Sequence, residues 1–383
     1  MASDVYFCPG TRKYQSGREE AIARELANRV WFGDDIRDKR VLVKVHVGEI
    51  HNDPGLEVTT HIRPPIVRHL VSKVKENGGY PIFGDSTPVY GFGKRCKPDG
   101  HRIVAVAHGF GENMMGAPFV VLDERGSIQV TADRLGEIGI PIVAYEIGMG
   151  GGYMVVAAHA TGHPLTSLPA NALKQLGMGC VDREGKIRVH GDYRAYVDPA
   201  KCKGCESCVD ACAGDYIGMV EQKARVDDDC IGCGGCVDVC ENGALTLIEK
   251  PELGLKRQVR EALYRNLMHA AKAAASVFGG GDGRIVYFSD ATEITPHCDC
   301  FELGEPHENV CEDIGVLASR NPVALDAAIL HLAEERAGGE ARLQRRLKEQ
   351  FPNLYVEIPF DYQLQFAQSI GLGNMDYALH VVK

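Results

Sequence analysis

The chain of 383 residues has no apolar run of transmembrane length. Its best stretch, YMVVAAHA, falls far short of the roughly 20 residues that a bilayer-spanning helix needs. The opening residues, MASDVYFCPG, lack a basic segment followed by an apolar run, so no secretory signal is expected. The formal net charge is −10 and no basic stripe interrupts it, which removes the usual footprint of nucleic-acid binding. No phosphate loop ending in Gly-Lys-Ser/Thr occurs. Nor is Gly148-Met149-Gly150-Gly151-Gly152 a dinucleotide fingerprint. It lies between two strand-like runs, PIVAYEI and YMVVAAHA, and reads as a hairpin or loop joining them. What remains is the expectation of a soluble cytoplasmic protein with neither a nucleic-acid nor a membrane partner. Hydrophobic content of 45% and charged content of 25% are ordinary for a globular chain with enough material for two or three domains.

Cysteine, by contrast, is abundant, with 14 in all. In a reducing cytosol, clustered thiols bind metal or do redox chemistry; they do not staple a scaffold. Eight of them form one pattern twice: Cys202-x2-Cys205-x2-Cys208-x3-Cys212, then Cys230-x2-Cys233-x2-Cys236-x3-Cys240. This is the bacterial ferredoxin spacing. A tight loop presents three thiolates to one cubane, and the fourth, a helical turn away, reaches the other cubane. Crossed ligation therefore groups Cys202, Cys205, Cys208 and Cys240 on one [4Fe–4S] cluster, and Cys230, Cys233, Cys236 and Cys212 on a second. Gly204, Gly232, Gly234 and Gly235 allow the backbone to pass close to the sulfides. Paired zinc knuckles are the alternative, but they do not require the third close cysteine. The run departs from the usual form where Ala213 and Glu241, not proline, follow the fourth cysteines.

Around this stretch, strand and helix patterns alternate. VLVKVHV (41–47), YPIFGD (80–85), RIVYFSD (284–290) and DIGVLAS (313–319) read as strands. Helices are expected over 64–77, 168–176 and 255–278, and another after Asn321, with Pro322 in its first turn. The fold class is α/β: a largely parallel sheet domain interrupted by a small α+β ferredoxin-like domain. The expected divisions are 1–190 for the first part of the α/β domain, 191–250 for the ferredoxin-like domain and 251–383 for the second part. Eleven acidic and four basic residues between Asp198 and Glu249 give that stretch a net charge of 4 − 11 = −7. A redox partner with a basic patch could dock there; a merely solvated surface is the bland alternative.

Weaker signals lie at strand ends, where α/β proteins place ligands. His159 and His163 could bind a metal or shuttle protons, or be one buried and one surface histidine. Asp85, Ser86 and Thr87 could hold an anion or a hydroxyl group, or be simple turn chemistry. VLVKVHV reads as the first strand, and Lys44 and His46 share one face of it: functional if that face is buried, ordinary if the strand is an edge. Asp326 interrupts VALDAAIL and reads as an exposed residue near a helix N-terminus. In an extended stretch, Cys298 and Cys300 point to the same side, beside His297, so both sulfurs can face one metal; small buried side chains are the alternative.

Four features occur in this order: ALKQLGMGCVDREGKIRVH (172–190), the double cysteine run, the Cys-Asp-Cys stretch, and DIGVLASRNPVALDAAI (313–329). In these the chain resembles the uncharacterised "Fe–S center protein" family, domain of unknown function 362, over about residues 40 to 335. That resemblance implies an inserted ferredoxin module and supplies no reaction. The matching positions include His159, His163, Lys174, Cys180, Lys186, His190, Cys298 and Cys300. Thr161 and Gln175 stand where lysine and asparagine are expected. Three expectations follow from the resemblance and the strand-end positions. His159, His163 and Lys174 are catalytic, and line one cavity with the cofactor-binding residues Asp85 and Ser86. Cys180 joins Cys298 and Cys300 in a possible third metal centre. Two [4Fe–4S] clusters relay single electrons to a substrate or cofactor in the α/β domain, with a flavin neither required nor excluded. The competing readings are a non-catalytic electron carrier or cofactor-maturation protein, and a non-redox isomerase or lyase with structural clusters. The main domain also bears a distant likeness to the nickel-pincer lactate racemase fold, which is analogy of fold only.

Overall fold

The computed structural model describes all residues except 1, 11–16, 34, 51–60, 90–93, 132–139, 164–167, 191–192, 213–215, 229, 231, 233–234, 250–255, 281–282, 297–307, 353–354 and 383. For residues 193, 238, 247–249 and 256–259 it describes the backbone only. The strands in chain order are β1 Ser3–Pro9, β2 Arg40–Val45, β3 Tyr80–Asp85, β4 Phe119–Val121, β5 Ser127–Val130, β6 Ile140–Val143 and β7 Tyr153–His159. They continue with β8 Tyr193–Val197, β9 Ile217–Val220, β10 Lys223–Val226, β11 Leu245–Glu249, β12 Ile285–Ala291, β13 Gly315–Ser319 and β14 Tyr377–Val381. The helices are α1 Arg18–Val30, α2 Pro64–Glu76, α3 Pro98–Ala107, α4 Glu112–Met115, α5 Tyr145–Met149, α6 Ala172–Gly177 and α7 Arg183–His190. After these come α8 Ser207–Asp210, α9 Gly235–Asp238, α10 Lys256–Val277, α11 Pro322–Ala337, α12 Glu340–Gln350 and α13 Tyr362–Ser369.

Eight strands form one sheet in the order β14-β1-β13-β12-β7-β2-β3-β4. Only the two pairings of β13, with β1 and β12, are antiparallel; the other five are parallel. The fold is therefore α/β with a mostly parallel sheet. Strands from both sides of the 193–249 stretch share this sheet. Within that stretch, β8 pairs with β11 and β9 with β10, each antiparallel.

Alternation along the strands assigns the two faces. On β2, Val41, Val43 and Val45 pack with Leu26 of α1, Ile66 and Leu70 of α2, and Val155 and Ala157 of β7. Leu42 faces the opposite side with Met154, Val156 and Ala158, where α6, α10 and α11 supply Leu173, Leu176, Leu263, Leu267 and Leu325. Lys44 shares the parity of Leu42 and is nonetheless fully buried. The apolar cluster on this second face runs without a break into Cys208, Cys230, Cys236, Cys240 and Val237. The cysteine-rich lobe is thus packed onto the same core as α6 and α10.

Three local expectations need correction. PIVAYEI and YMVVAAHA do not form a hairpin: β6 pairs with β5, and residues 145–149 are helical, so the glycines close α5 before β7. Glycine richness between apolar runs had masked a short helix. The helix expected over 168–176 starts only at Ala172, because Ala170 bridges to Thr161. VLVKVHV is the second strand, since Ser3–Pro9 already occupies the sheet between β13 and β14. The cap at Asn321 forms as expected, its Oδ1 accepting from Val323 N at 2.9 Å and Ala324 N at 3.2 Å.

Candidate functional site

Strands β2, β3 and β7 run parallel, so their carboxyl ends open on the same edge of the sheet. There they release His46, then Asp85-Ser86-Thr87, then His159 and His163. All of these line one cleft of about 890 Å³ including its mouth, together with Arg95, Asn171, Lys174, Gln175, Lys186, His190 and Leu267. The structure thus brings His159, His163, Lys174, Asp85 and Ser86 together. Both histidines are buried, so the surface-histidine alternative does not hold, and Ser86 and Thr87 are buried as well.

Asp85 is the centre of a buried charge network. Its Oδ1 accepts from Lys44 Nζ at 2.6 Å and Ser86 N at 2.9 Å; its Oδ2 accepts from Val47 N at 3.2 Å and Arg95 Nη1 at 3.4 Å. Burial opposes ionisation, but the Lys44 ammonium outweighs it, helped by His101 and His46, and holds the carboxyl well below its usual range. Arg95 also approaches Glu49 Oε2 at 3.6 Å. Asp85 therefore serves chiefly as an ionised anchor for the β2 and β3 ends.

Beside it, Ser86 Oγ donates to the Gly179 carbonyl at 2.9 Å and accepts from Lys186 Nζ at 2.8 Å. Lys186 also donates to the Val181 carbonyl at 2.7 Å, and burial lowers its pKa. His159 Nε2 donates to the Thr292 carbonyl at 2.7 Å, and His190 Nδ1 to the Lys186 carbonyl at 2.7 Å. Burial, reinforced by nearby His163, Lys174 and Arg260, pushes His190 down to about 4, so it is neutral at pH 7.

Helix α6 carries Lys174 and Gln175 to the cleft, and its anchor comes from another helix. Asp326 of α11 accepts from Asn171 Nδ2 at 2.7 Å, Ala172 N at 3.2 Å and Leu173 N at 3.1 Å, capping the first turn of α6. The expectation of an exposed Asp326 was wrong: the residue is fully buried. Burial raises its pKa to about 7 even with three donors. The glycines after α6 have steric reasons. A Cβ on Gly177 would lie 2.4 Å from the Leu267 carbonyl oxygen of α10, and one on Gly179 would lie 2.8 Å from Lys44 Nζ.

The cysteine runs build a second feature. A void of about 360 Å³, mouth included, is lined by Cys202, Cys205, Cys208 and Cys240, the four thiols that crossed ligation would group. Backbone N–H groups point at the sulfurs in a repeating pattern. Tyr216 N donates to Cys212 Sγ at 3.1 Å and Ala244 N to Cys240 Sγ at 3.3 Å, each four residues on. Ala224 N of β10 donates to Cys202 Sγ and Ala195 N of β8 to Cys230 Sγ, both at 3.4 Å. Gly204 and Gly232, at matching places in the two runs, both have left-handed φ, +70° and +62°. Among the described residues, no three Cys, His, Asp or Glu side chains converge enough to hold a single metal ion.

Cys233, Cys298, Cys300 and His297 lie outside the described residues. Cys180 is buried, and desolvation pushes its thiol up to about 11 against the lowering effect of Lys44 and Lys186. The described residues offer it no set of co-ligands. Sequence reasoning assigned no role to Arg95, and named Lys186 and His190 only through the family pattern. Their i, i+4 spacing on α7 was a usable signal.

A family model described as "Domain of unknown function (DUF362)" matches residues 41–331. No curated protein matches in sequence. Among solved structures, the lactate racemase apoprotein from Thermoanaerobacterium thermosaccharolyticum is similar at a TM-score of 0.35 and 8% identity, covering 99% of this chain and 83% of that one. So distant a likeness carries no argument about the site.

Proposed function

The chain belongs to the DUF362 family, and from that premise we propose that it is an iron–sulfur oxidoreductase whose 191–250 module relays electrons toward the histidine-lined cleft. The observation that carries this reading is the void walled by Cys202, Cys205, Cys208 and Cys240, with backbone N–H groups already aimed at cysteine sulfurs. Such N–H···S bonds stabilise thiolate charge and tune cluster potential. Thiols that wall a void, and do not converge on a point, fit a cubane better than a zinc ion. Two [4Fe–4S] clusters held by the two crossed sets would supply single-electron transfer.

The protein's own residues supply the rest. Cys205 is exposed, with Glu206, Asp210 and Glu241 exposed in the same two runs, so a redox partner with a basic patch has access there. Cys230 and Cys236 are buried within the apolar cluster that continues to Leu263 and Leu267 at the cleft. This continuity favours an inward relay over a free-standing carrier. In the cleft, His159, His163 and Lys174 are positioned to exchange protons with a bound substrate, while Ser86, backed by Lys186, orients it. A cytoplasmic location accords with reduced thiols; among the described residues no helix is long and apolar enough to cross a membrane. A third centre at Cys180, Cys298 and Cys300 gains no support from the surroundings of Cys180, and no step is assigned to it.

The test is metal and sulfide analysis of anaerobically purified protein, with electron paramagnetic resonance after reduction. About eight irons with matching acid-labile sulfide per chain are expected, and signals of two reduced cubanes. Stoichiometric zinc without sulfide would overturn the reading.

A further inference from the structure

We propose that the cleft recognises its substrate through a carboxylate group, received by Lys186 and Gln175. The inference rests on the cleft being a substrate pocket, as in the reading above, and not on the redox role of the cysteines.

Lys186 and Lys44 are both buried, but they differ in partners. Lys44 holds Asp85 at 2.6 Å. Lys186 donates only to neutral acceptors, Ser86 Oγ and the Val181 carbonyl, and among the described residues no carboxylate lies within ion-pair distance of it. The acids that influence it act from farther away, and each is engaged elsewhere. Asp85 is bound to Lys44, Asp123 to Thr87 N and Oγ1, and Asp182 to Ser127 Oγ and Gly185 N. An ammonium has three hydrogens, and two are used. A buried cation without a counter-ion is costly, and the usual resolution is a paired anion or a lost proton.

The second observation is independent. Gln175 is buried, lines the same cleft, and its Nε2 has no hydrogen-bond partner among the described residues. Buried amide donors are rarely left unmade. The two groups belong to one wall: Lys186 reaches Ser86, Ser86 reaches the Gly179 carbonyl, and a Cβ on Gly179 would lie 3.0 Å from Gln175 Oε1. Gly179 thus leaves open the space in front of Gln175. One ammonium and one amide offer two donors, which suits the two oxygens of a carboxylate. A phosphate dianion would ask for a ring of donors, such as a nest of backbone N–H groups, and Arg95, the arginine that lines the cleft, already approaches Glu49 and Asp85.

The experiment is isothermal titration calorimetry on the anaerobically purified full-length protein. The probes are propionate and benzoate, their neutral counterparts propionamide and benzamide, and inorganic phosphate. At least one acid should bind about tenfold or more tightly than its amide, the scale of one hydrogen bond to a charged group. Lys186→Met should erase that preference. Because a buried lysine variant can fail to fold, Gln175→Glu is the companion: it keeps the shape and replaces a donor with a like charge. It should weaken acid binding about tenfold or more and amide binding less, so the preference for the acid falls. The proposal is overturned if acids and amides bind alike, if neither acid binds, if phosphate binds more tightly than both acids, or if Gln175→Glu retains full acid affinity. Acid binding that persists in protein lacking iron and sulfide would sink the electron-relay reading and leave this one standing. Intact clusters with no acid preference would do the reverse.

Discussion

Replacing Lys44 with methionine isolates the electrostatic anchor of the cleft. Methionine keeps most of the apolar stem, so the packing of β2 against β3 and β7 is largely retained. The charge is lost, and Asp85 is left buried with an anion to stabilise. Removing one partner of a buried pair typically costs 3–5 kcal/mol. Here Ser86 N, Val47 N and Arg95 Nη1 still face the carboxylate, at 2.9, 3.2 and 3.4 Å, so the lower end applies, about 3 kcal/mol. Urea unfolding of the anaerobically purified protein, followed by circular dichroism, reads this directly. Adding Asp85→Asn removes the orphaned charge, so the double variant should be more stable than the sum of the two single losses by at least about 1 kcal/mol. A Lys44→Met loss under about 1 kcal/mol, or strict additivity in the cycle, would refute the argument that this pair is tightly coupled.

Three further outcomes follow from the same geometry. Cys240→Ser should damage the cluster held by Cys202, Cys205 and Cys208, since all four line one void; spectra showing loss of only the other cluster would make the crossed ligation wrong. Asp326, with its folded pKa raised to about 7, is protonated in the fold at pH values where the unfolded chain has already released that proton, so its contribution to stability falls as pH rises from about 4 through 7. Between pH 5 and 7 the difference in unfolding free energy between wild type and Asp326→Asn should therefore drop by roughly 2 kcal/mol, since the full slope of 1.36 kcal/mol per pH unit fades as pH nears the folded pKa; a flat difference in urea midpoints contradicts it. His163→Ala should abolish reoxidation of the reduced protein by its substrate while leaving the cluster absorbance unchanged, and unaltered rates would return His163 to a packing role.

Legibility tracked how local the signal was. VLVKVHV and YPIFGD announce strands because apolar runs of that length pack on both faces of a sheet, and Asn321-Pro322 announces a helix start because cap and proline act within one turn. The double cysteine run carries its own spacing and needs no tertiary context. Strands β1 and β14 were not found: SDVYFCP is only partly apolar, and YALHV, though mostly apolar, has no buried position and no alternation, so neither has a clean pattern. Asp326 was misread for a different reason. Its partners, Asn171, Ala172 and Leu173, lie more than 150 residues away, and helix position alone cannot distinguish a buried cap for another helix from a solvated acid. His159 and Asp85 were recognised as strand-end residues, but that they share a cleft is a consequence of sheet order, in which β2 separates β7 from β3.

The two buried lysines show how one fold separates anchoring from recognition. Both are buried near the carboxyl ends of parallel strands, and Lys186 lines the cleft itself. Lys44 points from a strand at the carboxylate that ends the next strand, so its charge is satisfied by a register that the sheet itself enforces. Lys186 sits on a short helix, α7, which leads into the cysteine-rich lobe, and it meets only a hydroxyl and a carbonyl. A charge neutralised within the sheet holds structure and is indifferent to ligand. A charge with no carboxylate within ion-pair distance among the described residues leaves the wall incomplete until an anion arrives, and its position joins that event to the module next in sequence. Arrival of an anion would act on α7, whose last residue, His190, also lines the cleft, with its Nδ1–H tied to the Lys186 carbonyl. On this argument, substrate binding is felt first at the helix that connects the cleft to the cysteine-rich lobe.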